Sequence, residues 1–250
     1  MRGISNLERG ERRLPQRGTV ALLTEALGLQ GAERAAFEAA ARGLGEPESA
    51  DQPALAAPTN LPLALTSFVG RERALAAVRR LLGETRLLTL TGAGGCGKTR
   101  LALEVARTLG HATHQGAAYA DGIWLVELAP LGDGDLVART VAAVLGVREM
   151  PGQVLLDSLT AFLRPKQVLL LLDNCEHLLG ACATLADALL RVCPRLTVLA
   201  TSREALGIGG ERPWRVPSLS LPDPRGRLTL VQAAACEAVQ LFVQRAQAVR

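Results

Sequence analysis

Residues 88–99 read L-T-L-T-G-A-G-G-C-G-K-T, and Gly92, Gly97, Lys98 and Thr99 satisfy G-x-x-x-x-G-K-[ST] at every fixed position. The four apolar-rich residues before it suit a buried strand, and residues 98–109 suit a helix. Such a turn wraps a triphosphate with consecutive backbone N–H groups, which demands residues without bulky side chains or positive-φ penalties. Gly94, Gly95 and Cys96 meet that demand inside the loop, and Arg100 follows in the first helical turn. The helix N-terminus adds a dipole that favours the anion. Lys98 is then positioned for the β- and γ-phosphates, and the Thr99 hydroxyl for Mg²⁺. The bland alternative is an ordinary Gly-rich strand-to-helix turn. Chance produces the pattern in roughly one chain in a hundred of this length. Here one of only two lysines, Lys98 and Lys166, occupies the required place. Cys96 reads either as a redox-sensitive thiol or as a small residue at a tolerant position.

Working outward, short apolar runs alternate with longer helical ones. Residues 73–82, 98–109, 135–145, 153–163 and 178–192 have helical patterns, and 87–90, 123–128, 168–172 and 196–200 are strand-like. That alternation predicts an α/β fold, a parallel sheet with helices on both faces. Residues 213–221 are punctuated by proline, and 233–249 read as one last helix. Upstream, 19–27 and 31–44 suit short helices, while 45–66 carries Pro47, Pro53, Pro58 and Pro62 among small residues and suits a linker. The expected organisation is a small all-α segment at 1–45, a linker at 46–66 and a nucleotide-binding domain at 67–250.

Composition sets the outer bounds. The chain has 250 residues, 48% hydrophobic and 21% charged, which allows a packed core and argues against wholesale disorder. Aromatics are only 3%, so Leu, Val and Ala must build that core. The net charge of +4 permits an acidic partner without demanding one. Five cysteines are scattered, residues 1–13 form no apolar signal segment, and the longest apolar run is far too short to span a bilayer. The expectation is a reduced, cytoplasmic protein with no membrane partner.

Two further stretches carry chemistry. Residues 168–173, V-L-L-L-L-D, form an apolar strand ending in Asp173, the Walker B pattern, where a carboxylate holds the Mg²⁺ hydration shell. Asn174 stands where many such ATPases place a second acid, and Glu176 is the nearest carboxylate. That suggests slow hydrolysis. Residues 196–203, L-T-V-L-A-T-S-R, end in Arg203, read either as a γ-phosphate sensor or as a surface arginine. His111 and His114 lack a third ligand, Cys175, His177 and Cys182 lack zinc spacing, and Cys182 and Cys193 read as small buried residues.

Together, Phe68-Val69-Gly70-Arg71-Glu72, the G-A-G-G-C-G-K-T loop, L-L-L-L-D-N-C-E-H and T-S-R resemble the STAND family of P-loop ATPases, regulators related to NB-ARC and to large bacterial transcription activators. The resemblance implies that the stretch with Val69, Gly70 and Arg71 packs on adenine, so ATP or ADP rather than GTP is the ligand. It also implies a switch in which ADP holds a closed form and ATP opens it for partner or self-association. Residues 3–10, G-I-S-N-L-E-R-G, resemble the third helix and turn of an Xre-type helix-turn-helix. Arg2, Ser5 and Asn6 are then candidate contacts to duplex DNA, and residues 1–17 carry five Arg against two Glu. On this resemblance two helices would precede Met1, and a Gly-Leu-Pro-type motif and a winged helix would follow Arg250, so the chain reads as truncated at both ends. The function expected is a nucleotide switch in a transcriptional regulator. The alternatives are a turnover ATPase and an ADP-bound interaction scaffold.

Overall fold

The central strands are buried along almost their whole length, and because successive side chains point to opposite faces they divide the core between the two sides of one sheet. The computed structural model describes residues 24, 30, 31, 34, 57–110, 118–149, 152–222 and 229–248. The chain separates into two units, Met1–Ala54 and Leu55–Arg250. All the elements named below belong to the second. Arg2, Ser5, Asn6, His111 and His114, and all but residues 24, 30, 31 and 34 of the segment expected to be helical, lie outside the described residues.

In chain order the elements are α1 (Glu72–Glu84), β1 (Leu87–Thr91), α2 (Lys98–Gly110), β2 (Ile123–Glu127), α3 (Leu136–Leu145), α4 (Leu155–Leu163) and β3 (Val168–Asp173). A 3₁₀ turn at Cys175–His177 leads to α5 (Leu179–Val192), β4 (Leu196–Ser202), β5 (Glu211–Arg215), α6 (Leu230–Ala234) and α7 (Glu237–Gln247). The five strands form one sheet in the order β2-β3-β4-β1-β5, and every pairing is parallel. The expected α/β parallel sheet is present.

Val168, Leu170 and Leu172 of β3 face one cluster with Val137, Val141 and Leu145 of α3, Leu159 and Leu163 of α4, and Leu185 and Leu189 of α5. Leu169 and Leu171 face the other, with Val78 and Leu81 of α1 and Leu101 and Val105 of α2. The helices present apolar residues at intervals of three and four, which places them on one stripe. With so few aromatics, leucine carries the core, each buried side chain contributing about 1.5–3 kcal/mol.

Three elements depart from expectation. Strand β5 crosses the proline-punctuated stretch and contains Pro213, opposite Thr89 of β1. Val216 donates its N–H to Thr91 O. By alternation Trp214 and Arg212 face β1 while Pro213 faces outward, so its missing N–H breaks no ladder bond on this edge strand. The last helix is broken, because Cys236 is extended (φ −78°, ψ 130°) and Thr229 closes a capping box with Gln232 at the start of α6. Finally, residues 57–60, assigned from sequence to the linker, run beside β2. Ile123 donates to Pro58 O, and the Asn60 amide makes two hydrogen bonds with the backbone of Leu125, at 2.7 and 2.8 Å. They cover the free edge that β2 would otherwise expose.

Candidate nucleotide site

Because β4 is inserted between β1 and β3, the carboxyl ends of these three strands bring the loop, Asp173 and residues 201–203 together. Thr91 hands the chain to the loop, which closes on α2 at Lys98. Gly97 has φ +90°, a conformation that favours glycine, and a Cβ there would lie 3.0 Å from Arg71 Nη1, so the guanidinium packs closely on the loop. Lys98 is buried. Its ammonium donates to Gly92 O at 2.9 Å and Ala93 O at 3.2 Å, bridging the loop from within.

Asp173 is the hub. Thr99 and Thr201 each donate a hydroxyl to Asp173 Oδ1 at 2.6 Å, and Thr201 Oγ1 accepts the Asn174 N–H at 2.9 Å. The donors at this point are hydroxyl and carboxylate oxygens, the hard set that suits Mg²⁺. Among the described residues no group of three or more His, Cys, Asp or Glu could hold a metal ion alone. Thr201 was not singled out as a site residue from sequence, though its place two residues before Arg203 on a buried strand was legible.

Asn174 takes a left-handed conformation (φ 67°) and its side-chain amide lies 3.3 Å from His177 Nδ1. His177 Nε2 in turn lies 2.9 Å from Leu131 O. Arg203 Nε pairs with Glu176 Oε1 at 3.2 Å, while Glu176 Oε2 is buried without a hydrogen-bond partner. With the Arg203 side chain 69% exposed, the pair contributes about 1 kcal/mol or less. A Cβ at Gly94 would lie 3.9 Å from Arg203 Nη2, so this guanidinium faces the loop as well as Glu176. Cys175, Cys182 and Cys193 are fully buried. Its hydrogen bond with Cys182, then burial and the neighbouring charges of Asp173 and Glu176, push the Cys175 thiol up, which keeps it neutral.

Next to the loop lies a cavity of about 340 Å³ lined by Phe68, Val69, Arg71, Cys96, Gly97 and Leu219. Arg71 (φ 65°) is buried, and its Nη2 donates to Cys96 O at 2.6 Å and Pro217 O at 3.2 Å. Gly70 adjoins it, with φ +66°. Arg100 turns back to donate to Thr66 O, to Thr66 Oγ1 at 2.8 Å and to Ser67 O at 3.0 Å. Thus every site residue expected between 69 and 203 falls into one region. Glu237, Ser220 and Arg245 also reach it; their distance along the chain left no local signal.

A family model described as an AAA domain matches residues 79–207, just over half of the chain. An uncharacterized protein of Mycobacterium tuberculosis is 46% identical over 186 residues, covering 74% of this chain and 42% of that relative. Another protein of the same organism, provisionally named an HTH-type transcriptional regulator, is 44% identical over 173 residues, 69% of this chain and 17% of that one. The chain therefore spans less than half the length of these relatives. Among solved structures it is similar to Cdc6p from Pyrobaculum aerophilum, with a TM-score of 0.49 and 19% identity over 77% of this chain and 52% of that one. It is also similar to a Signal Transduction ATPase with Numerous Domains from Pyrococcus horikoshii, with a TM-score of 0.43 and 16% identity over 62% of this chain and 24% of that one. By the family match over residues 79–207, this chain belongs to the AAA-domain family and has at its core an AAA-type P-loop ATPase domain.

Proposed function

We propose that the chain binds ATP and ADP with Mg²⁺ and works as a nucleotide switch in a transcriptional regulator, with slow hydrolysis. One observation carries this reading. The Lys98, Thr99 and Asp173 cluster, suited to phosphate, shares the loop with the largely apolar cavity beside Phe68 and Val69, suited to a base. Loop N–H groups cradle the phosphates, and Lys98 exchanges the carbonyls of Gly92 and Ala93 for β- and γ-phosphate oxygens. Thr99 and Asp173 would hold Mg²⁺. When bound, the ion neutralises charge on the phosphates.

The pairing of Arg203 with Glu176 supports a switch rather than rapid turnover. Arg203 has two partners to choose between, Glu176 or a γ-phosphate, and taking the second frees Glu176. Asn174 supplies no acid in its place. Regulation of transcription is supported by the relative provisionally named an HTH-type regulator. DNA contact through Arg2, Ser5 and Asn6 is part of the same reading. It is tested by a duplex mobility shift that weakens with salt and with Arg2→Ala; salt-insensitive or absent binding refutes it.

The decisive experiment is mass spectrometry of nucleotide that copurifies with the protein, followed by single-turnover hydrolysis. Tightly held ADP with slow cleavage is expected. Rapid cleavage lost in Glu176→Gln would favour a turnover ATPase, and absence of adenine-nucleotide binding would sink the proposal.

A further inference from the structure

The cavity beside the phosphate loop has two walls drawn from distant parts of the chain: residues 67–71 ahead of α1, and residues 217–221 after β5. The sheet does not join them, since pairing of the second wall to β1 ends with the bond from Val216 N to Thr91 O. Arg71 Nη2 reaches across to Pro217 O at 3.2 Å, and one carboxylate binds the backbone of both walls. Glu237, the first residue of α7, accepts the Arg71 N–H on Oε1 at 2.6 Å and the Ser220 N–H on Oε2 at 2.9 Å. The helix is fixed in return, because Glu237 N donates to Ser220 Oγ at 2.9 Å and Ala238 N to Ser220 O at 3.2 Å.

The first wall is shaped to admit this side chain. A Cβ at Gly70 would lie 2.8 Å from Glu237 Cγ, so glycine is needed for the approach as well as for its φ of +66°. Farther along α7, Leu241 and Arg245 line the same cavity, and Arg245 donates to Ser67 O at 3.2 Å. The N–H groups of Ser220 and Arg71 hold the Glu237 carboxyl below the ordinary glutamate range. It is therefore ionised at neutral pH, in the form that accepts both bonds.

We propose that Glu237 is a positioning residue for nucleotide retention, its two oxygens stapling the two walls of the base-side cavity through the backbone N–H groups of Arg71 and Ser220. This rests on the reading that the cavity takes the nucleoside. The consequence is that the seat of α7 and the grip on the base are one variable, whereas the grip on the phosphates is set separately by Lys98 and the loop amides. Glutamine keeps the reach of Glu237 but offers one acceptor oxygen, and its amide group faces an N–H. Alanine removes both bonds.

The test uses the full 250-residue chain, with fluorescent ADP for binding and inorganic tripolyphosphate as a competitor that has no base. Glu237→Ala is expected to speed ADP dissociation at least about tenfold, and Glu237→Gln by roughly half that logarithm, the range for losing bonds to a charged acceptor. Tripolyphosphate affinity should stay within about twofold. Melting temperature is followed in parallel, and Glu237→Gln serves as the readout if the alanine variant does not fold. Unchanged ADP dissociation in a folded variant overturns the inference. So does an equal loss of tripolyphosphate binding, which would mark Glu237 as merely structural. Lys98→Ala separates the two readings. If it abolishes ADP binding while the Glu237 variants bind normally, only the staple fails; if it leaves ADP binding intact, the nucleotide site itself is wrong.

Discussion

Replacing Thr201 with valine removes one hydroxyl from the centre of the site and almost nothing else. Thr201 is 2% exposed and nearly isosteric with valine, so shape and backbone preference are retained. Two bonds disappear. The one to Asp173, at 2.6 Å, is charge-assisted and worth about 1.5–3 kcal/mol net. The one from Asn174 N, at 2.9 Å, is worth about 0.5–1.5 kcal/mol, and its loss leaves a half-buried N–H without its acceptor. The new methyl returns about 0.8 kcal/mol of apolar burial. The expected net loss is about 2–3 kcal/mol. Urea unfolding followed by fluorescence of Trp124 and Trp214, the two tryptophans, measures it. A double-mutant cycle with Asp173→Asn should show coupling of about 1 kcal/mol or more, since Asp173 and Thr201 share a bond. A loss below about 0.5 kcal/mol, or full additivity, would refute the claim that Thr201 holds Asp173 in place.

Lys98→Ala should abolish triphosphate binding with the fold intact, as calorimetric titration with ATP would show, because backbone amides alone do not neutralise the γ-phosphate; unchanged affinity contradicts the site. Gly97→Ala should weaken nucleotide binding and destabilise by about 1–3 kcal/mol, from strain at φ +90° and displacement of Arg71. Circular dichroism melts and ADP titration together check it, and a neutral result refutes the packing of Arg71 on the loop. For Glu237 the sign follows from a folded pKa lower than the unfolded one. Its contribution is full above the unfolded value of about 4.3 and is lost as pH falls through the lower folded value. The stability gap between wild type and Glu237→Gln should therefore be flat from about pH 5 upward and shrink in more acid solution. A gap that grows on acidification would exclude ionised Glu237 as the acceptor of both N–H groups.

Legibility in the sequence followed the range of the interactions. Strand β3 was plain because V-L-L-L-L-D is apolar on both faces and ends at a carboxylate. The apolar run of β4 ends at Ala200, but the strand continues through Thr201 and Ser202, polar residues whose burial only the sheet and Asp173 explain. Strand β5 was missed because proline reads as a breaker, whereas on an outward edge its absent N–H is immaterial. Arg203 was noticed, but its pairing with Glu176, 27 residues away, was not inferable from spacing.

The sequence alone determined the local chemistry: a glycine loop with a lysine and a threonine at its end, a buried strand closed by Asp173, and short continuous apolar runs set against apolar periodicities of three to four that sort strands from helices. These are properties of neighbouring residues, fixed by backbone sterics and side-chain direction. The tertiary structure decided which distant groups meet. Strand order placed β4 between β1 and β3, and so brought Thr201 onto Asp173. The return of α7 set Glu237 against Arg71, 166 positions earlier in the chain. Contacts of that kind depend on how helices and strands pack to bury their apolar faces, and no local pattern encodes them.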